Sequence, residues 1–269
     1  MSKVRGFNGA EYTGYVFSFK ITTSERTGKR RATVGIKDER MNNVAYGTIF
    51  ETENLKYGEQ KVSLLELQKI FLDEEGKPRH ILATFAGTVA DNEYTNQNTH
   101  QKVLNVQSIL FKITPCTDES KQKIMFNITG VVDAVKEVDN GDAYLARIGI
   151  VTTDRDKKPT GIVYNRIKIS GDAKDTWDKK DVSKGDLITL RGYNLNVVPL
   201  DEFGYPAVDG KIVKELSARV VGGHVIQDDL EDYESVYMAL KKGTYKDEKA
   251  DEQLPFSMDN ELNDDELFG

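Results

Sequence analysis

From Thr13 to Phe50 the chain alternates β-branched or aromatic residues with polar ones, and Gly, Asn and Asp break the alternation at short intervals. Thr13-Gly14-Tyr15-Val16 leads through a turn at Gly28 to Ala32-Thr33-Val34-Gly35-Ile36, and a polar turn precedes Val44-Ala45-Tyr46-Gly47-Thr48-Ile49-Phe50. A period of two interrupted by turn residues predicts a three-strand meander. The same order recurs: Thr129-Gly130-Val131-Val132, a turn at Gly141, Ala146-Arg147-Ile148-Gly149-Ile150, then Gly161 to Ile167. Matching landmarks (Gly14 and Gly130, Gly28 and Gly141, Gly35 and Gly149, Tyr46 and Tyr164) stand 113 to 118 residues apart. That offset is one small domain, too long for a solenoid repeat.

The segments after each meander correspond as well. Ser63-Leu64-Leu65-Glu66 is a capping box, Leu64, Leu65, Leu67, Phe71 and Leu72 supply an apolar helical face, and Gly76 with Pro78 ends it. Ile81 to Gly87 then predicts a strand, Asp91 to Thr99 a loop, and Lys102 to Ile113 a last strand. In the second copy a short helix is predicted near Ala173 to Trp177, followed by strands at Leu187 to Gly192 and Ile212 to Val221. Three strands, a helix and two strands resemble the plan of the five-stranded Greek-key barrel called the OB-fold. Val182-Ser183-Lys184-Gly185-Asp186 before a strand ending in Gly192 resembles the helix-to-fourth-strand junction of many OB-folds. The expected fold is all-β: two OB barrels in tandem, residues 1–115 and 122–226, each with a helix between its third and fourth strands.

Leu230, Tyr233, Val236, Tyr237 and Leu240 fall at helical spacing, acidic at the start and with Lys241-Lys242 before Gly243 at the end, which predicts a helix over 227–242 packing on the second barrel. Residues 243–269 predict a disordered acidic tail. Residues 227–269 hold 14 Asp and Glu against 4 Lys, so the remainder, with 33 basic and 30 acidic side chains, is mildly basic although the whole chain is −7. Within the tail, carboxylates precede large apolar residues twice, at Asp251-Glu252-Gln253-Leu254-Pro255-Phe256 and at Asp264-Asp265-Glu266-Leu267-Phe268-Gly269. Such stretches cannot form a core but suit a peptide ligand, steered by charge and anchored by Leu254, Phe256, Leu267 and Phe268. A merely solubilising tail is the alternative.

Composition narrows the function classes. No apolar stretch approaches the roughly 20 residues that span a bilayer, and the start lacks a signal-peptide core, so a cytoplasmic location is expected. The single cysteine, Cys116, in a linker-like stretch, excludes an intrachain disulfide. His80, His100 and His224 lack metal-ligand spacing, and there is no phosphate-binding Gly loop or Ser elbow. A non-enzyme without cofactor or metal is expected.

Alternation in the second copy puts Val163, Ile167 and Ile169 on one face and Tyr164, Arg166 and Lys168 on the other, with Arg147 beside them. A ring that stacks a base and cations that track phosphates are what a single strand needs. The first copy offers Arg30 and Arg31 in the most basic turn, then Lys37, Tyr46 and Phe50. Tyr94 lies in the long loop of the first copy and Phe203 and Tyr205 in that of the second, positions that suit either stacking on a base or packing within the loop. Trp177, Phe17 and Phe19 are expected in the core.

A tandem OB body with these acidic, Phe-bearing stretches resembles the prokaryotic and bacteriophage single-stranded DNA-binding proteins. Asp251 to Phe256 is similar to the acidic Pro-Phe tip of the bacterial proteins and Asp264 to Phe268 to the tails of phage ones. The resemblance implies a protein that coats single strands in replication, recombination and repair, in host cytoplasm if phage-encoded. It also implies a tail that recruits replication proteins and competes with DNA for the basic cleft. The doubled barrel and the terminal Gly269 depart from the bacterial pattern, so two barrels in one chain would stand in for oligomerisation. A tandem OB protein-interaction module and an RNA-binding protein fit the same residues.

Overall fold

In this computed structural model the described residues are 6–25, 27–95, 102–154, 158–197, 213–222 and 227–245. Strands β1 (Phe7–Thr23), β2 (Arg30–Asp38) and β3 (Asn43–Phe50) form the first meander. A small hairpin, β4 (Lys56–Tyr57) and β5 (Gln60–Lys61), leads into helix α1 (Leu64–Phe71), then β6 (Leu82–Thr95) and β7 (Lys102–Pro115). The order repeats with β8 (Lys123–Val138), β9 (Ala143–Thr153), β10 (Pro159–Ser170), α2 (Asp172–Lys179), β11 (Leu187–Val197) and β12 (Val213–Val221), and α3 (Gln227–Lys241) follows.

The pairings close two circuits. β1 pairs antiparallel with β2 and β6, β2 with β3, β6 with β7, and β3 runs parallel to β7. β8 pairs with β9 and β11, β9 with β10, β11 with β12, and β10 runs parallel to β12. Each circuit closes through a short parallel contact, Thr48 with Ile109 in the first and Ile167 to Ile169 with Leu216 to Ala218 in the second. Inward residues of both rings, among them Val34, Ile36, Ile49, Ile148, Ile167 and Ile169, are fully buried. In α1 the capping box forms: Glu66 N–H donates to Ser63 Oγ at 3.2 Å, and Ser63 N–H to Glu66 Oε2 at 2.7 Å. The helix thereby sets Leu64, Leu67 and Phe71 into the first ring, where Phe71 lies 5.9 Å from Phe19 and 5.8 Å from Phe85 between ring centroids. In α2, Trp177 is buried as expected.

β1 also pairs antiparallel with β8, fusing the rings into one sheet, and Ala10 pairs with Phe126. Those two positions are 116 residues apart, the same offset as Gly14 and Gly130. Equivalent positions of the two strands therefore face each other at this pair. Each ring lends its long hairpin to the other. From β6, Asp91 accepts from the backbone N–H of Arg166 on β10 at 3.0 Å. From β11, the Asn194 carbonyl accepts from Asn43 Nδ2 at 2.7 Å, and Asn196 Nδ2 donates to Asn43 Oδ1 at 3.0 Å. At the centre the buried Tyr12 hydroxyl bonds Ser108 at 2.6 Å and accepts from Asn194 Nδ2 at 3.0 Å.

One expected boundary is corrected: the loop predicted from Asp91 is strand as far as Thr95, paired with β7 through Lys102. The stretch Asp91-Asn92-Glu93-Tyr94-Thr95 carries no apolar alternation, so it reads as loop although its backbone pairs as strand.

Candidate nucleic-acid interface

Alternation on β2 and β3 buries Ala32, Val34, Ile36, Ala45 and Ile49, and so turns Arg31, Thr33 and Lys37 outward with Tyr46 and Phe50. Tyr46 is 47% exposed and Phe50 38%. Four residues along an extended strand, they stand about 13 Å apart. Across the parallel β3–β7 pairing, Thr48 faces Ile109, which continues the same face, and Phe111, the extra residue where the β6–β7 register shifts, is 63% exposed.

Phe17 belongs to this face and not to the core, a correction to the expectation above. The β1–β2 register shifts between Val16 and Ser18, leaving Phe17 as a bulge residue that breaks the alternation shared by Val16 and Phe19. Phe19 stays buried, whereas Phe17 is half-buried with its ring edge-on to Tyr46 at 5.6 Å. Gly35, opposite Tyr46 in the register, makes the room, since a Cβ there would stand 2.6 Å from the Phe17 ring. The outcome is an aromatic platform, Phe17, Tyr46, Phe50 and Phe111, beside Arg31 and Lys37. Of the basic turn, Arg30 pairs with Glu51 at 2.6 Å, and Arg31 Nε donates weakly to Thr22 Oγ1 at 3.4 Å.

The second ring repeats the scaffold and fills it differently. A bulge between Val132 and Ala134 singles out Asp133, which is 116 residues after Phe17, and Gly149 again faces the tyrosine, Tyr164. Here the ring over the glycine comes from α3: a Cβ on Gly149 would stand 2.5 Å from Tyr237. Tyr233 and Tyr237 are buried with Val131, Val151 and Leu187, and Val236 and Leu240 pack against them, as the helical stripe predicts. The Tyr233 hydroxyl accepts from Val151 N–H at 2.9 Å. Asp133 anchors the assembly, accepting from Tyr237 Oη at 2.8 Å, from Arg147 Nε at 2.7 Å, and from Lys241 Nζ.

The predicted residues of this face are thus brought together, but are engaged. The Arg147 guanidinium lies 4.9 Å over the Tyr164 ring while bound to Asp133. Arg166 Nε lies 3.7 Å from Asp91, and Lys168 Nζ lies 2.7 Å from Asp139 and 3.7 Å from Glu215. The Tyr94 side chain lies outside the described residues, as do His100, Phe203, Tyr205 and the tail from Lys246, with Leu254, Phe256, Asp264, Asp265, Glu266, Leu267 and Phe268. No helix among the described residues is long and apolar enough to cross a membrane.

Burial penalises the Asp133 charge, but the Lys241, Arg147 and Tyr237 donors outweigh it and hold the carboxyl at about 2. A carboxylate depressed on folding contributes stability above its unfolded pKa of about 3.9 and loses it as pH falls through the folded value. Acid titration should therefore release α3 between about pH 4 and pH 2, read as protease cleavage within Tyr233 to Lys241. Asp133→Asn should flatten that dependence.

No family model matches the chain, and no curated protein does. The chain is similar to solved structures of the single-stranded DNA-binding protein from Thermus aquaticus. The wild-type protein is 13% identical, with 83% of this chain and 95% of that chain covered at a TM-score of 0.49. A deletion mutant of it is 12% identical, with 83% and 97% covered and a TM-score of 0.49. A replication protein A heterotrimer bound to single-stranded DNA is similar at 10% identity, with 85% of this chain and 52% of that chain covered and a TM-score of 0.24. At these identities, what this chain binds is a question for its own side chains.

Proposed function

We propose that the protein binds single-stranded DNA with little sequence preference, through the outer face of the first ring. The two rings are read as tandem OB barrels, residues 1–115 and 122–226. The observation that supports this is the exposed row of Tyr46, Phe50 and Phe111 beside Arg31 and Lys37, apolar rings that neither a core nor a solubilising surface requires. Every base offers a face to such rings, which makes stacking tolerant of sequence, while cations follow the phosphates. On the second ring α3 occupies the equivalent face, so the strand is assigned to the first. In replication, recombination and repair such a protein coats exposed strands without catalysis.

Cross-linking tests the placement. Full-length protein irradiated with oligo-dT carrying 5-iodouracil should yield adducts in the peptides holding Tyr46, Phe50 or Phe111. Adducts confined to β9 and β10 would overturn the assignment.

The tail completes the proposal. Its excess of carboxylates on a tether reaches the cationic face at high local concentration, as a weak competitor of DNA, and its Phe-bearing stretches recruit replication partners. A chain ending at Lys242 retains α3 and is expected to bind oligo-dT more tightly than the full chain at low salt, with the difference shrinking as salt screens the charges. Weaker binding by the shortened chain would place the tail inside the binding unit instead.

A further inference from the structure

Lys214, on β12 of the second ring, reaches across to the first. Its ammonium donates to the Val44 carbonyl and to Asn196 Oδ1, and it stands 5.6 Å from the centre of the exposed Tyr46 ring. Its hydrogen-bond acceptors are neutral, the Val44 carbonyl on β3 and the Asn196 amide oxygen on β11. Among the described residues no carboxylate lies within ion-pair distance of it, whereas Arg147, Arg166 and Lys168 on the second ring each face one. The hairpin exchange is thus unequal in charge. The first ring's arm delivers the carboxylate of Asp91 to β10, and the second ring's arm delivers an ammonium to β3.

Among the described residues this half-buried ammonium meets only neutral acceptors, and holding a charge out of water without an opposite charge is costly. Burial indeed pulls its pKa down to about 8. An aromatic ring and an ammonium 5.6 Å apart are the two parts that hold one nucleotide, the ring taking the base and the cation the backbone phosphate. We propose that Lys214 is a strand-binding residue contributed by the second ring to the first ring's face, taking the phosphate of the nucleotide whose base stacks on Tyr46. The site is then composite, and the fixed placement of the two rings is a condition of binding. This inference rests on the proposed single-strand function.

Titration of full-length protein with oligo-dT over a range of salt concentrations tests it, comparing wild type, Lys214→Gln and Lys214→Arg. Loss of one phosphate contact should make the slope of log K against log salt shallower by about 0.7 in the Gln variant, with the Arg variant close to wild type. A second readout is pH. Wild-type affinity should fall as pH rises from 7 through the Lys214 pKa of about 8, and the Gln variant should be flat there. A Gln variant with the wild-type slope and the wild-type pH profile would overturn the inference while leaving single-strand binding intact. Failure of the wild type to bind oligo-dT at any salt would remove the proposed function itself, and this inference with it. Circular dichroism of each variant separates a lost contact from a lost fold.

Discussion

Replacing Tyr46 and Phe50 together by alanine is expected to weaken oligo-dT binding by about 2–6 kcal/mol, since each stacked base is worth about 1–3 kcal/mol. Both side chains project from β3 into solvent, and their inward neighbours Ala45 and Ile49 hold the strand in place. The variant should therefore unfold at the wild-type temperature, and fluorescence titration reads the loss of affinity alone. Tyr164→Ala is the matched control on the other ring. Because Arg147 and α3 engage that face, this substitution should alter strand affinity far less. A large loss from Tyr164→Ala with none from the double variant would exchange the roles of the two rings.

The second large effect is on stability. Asp133→Ala should destabilise the second ring by about 3 kcal/mol, the low end for removing one partner of a buried charge cluster. The Asp133 side chain is 1% exposed, but those of Arg147 and Lys241 are 44% and 35% exposed and can turn to water, which holds the cost down. The Tyr237 hydroxyl cannot, because it is buried under α3. Urea unfolding should show the loss, and limited proteolysis should show cleavage in α3 before the rings are cut. If α3 stays protected, its apolar contacts with Val131, Val151 and Leu187 would be sufficient to hold it, and Asp133 would not be its anchor.

The local features were legible in the sequence and the tertiary ones were not. Gly35 and Gly149, Tyr46 and Tyr164, and the Ser63–Glu66 box are short-range signals, and the structure shows each in its predicted local setting. The stripe Tyr233, Tyr237 and Leu240 told that α3 packs on the second ring, though not where. Phe17 was hidden because a bulge shifts the period by one residue, and alternation carries no mark of a bulge. Phe111 was hidden in the run Ile109-Leu110-Phe111, which reads as wholly buried although only Leu110 points in. Asp133 and Lys214 carried no signal at all. Each acts on partners more than 100 residues away, Asp133 on Tyr237 and Lys214 on Val44, and both are ordinary charged residues until β1 meets β8 and the hairpins cross.

Single-strand binding itself is tested most directly by fluorescence titration of the full chain with poly-dT, poly-U and duplex DNA at two salt concentrations. Poly-dT should bind well above duplex, because a duplex cannot lay unstacked bases on Tyr46 and Phe50, and its affinity should fall steeply as salt rises, because phosphate contacts release counterions. Tighter binding to poly-U than to poly-dT would move the function to RNA. Equal affinity for duplex and single strand, or a flat response to salt, would contradict the account.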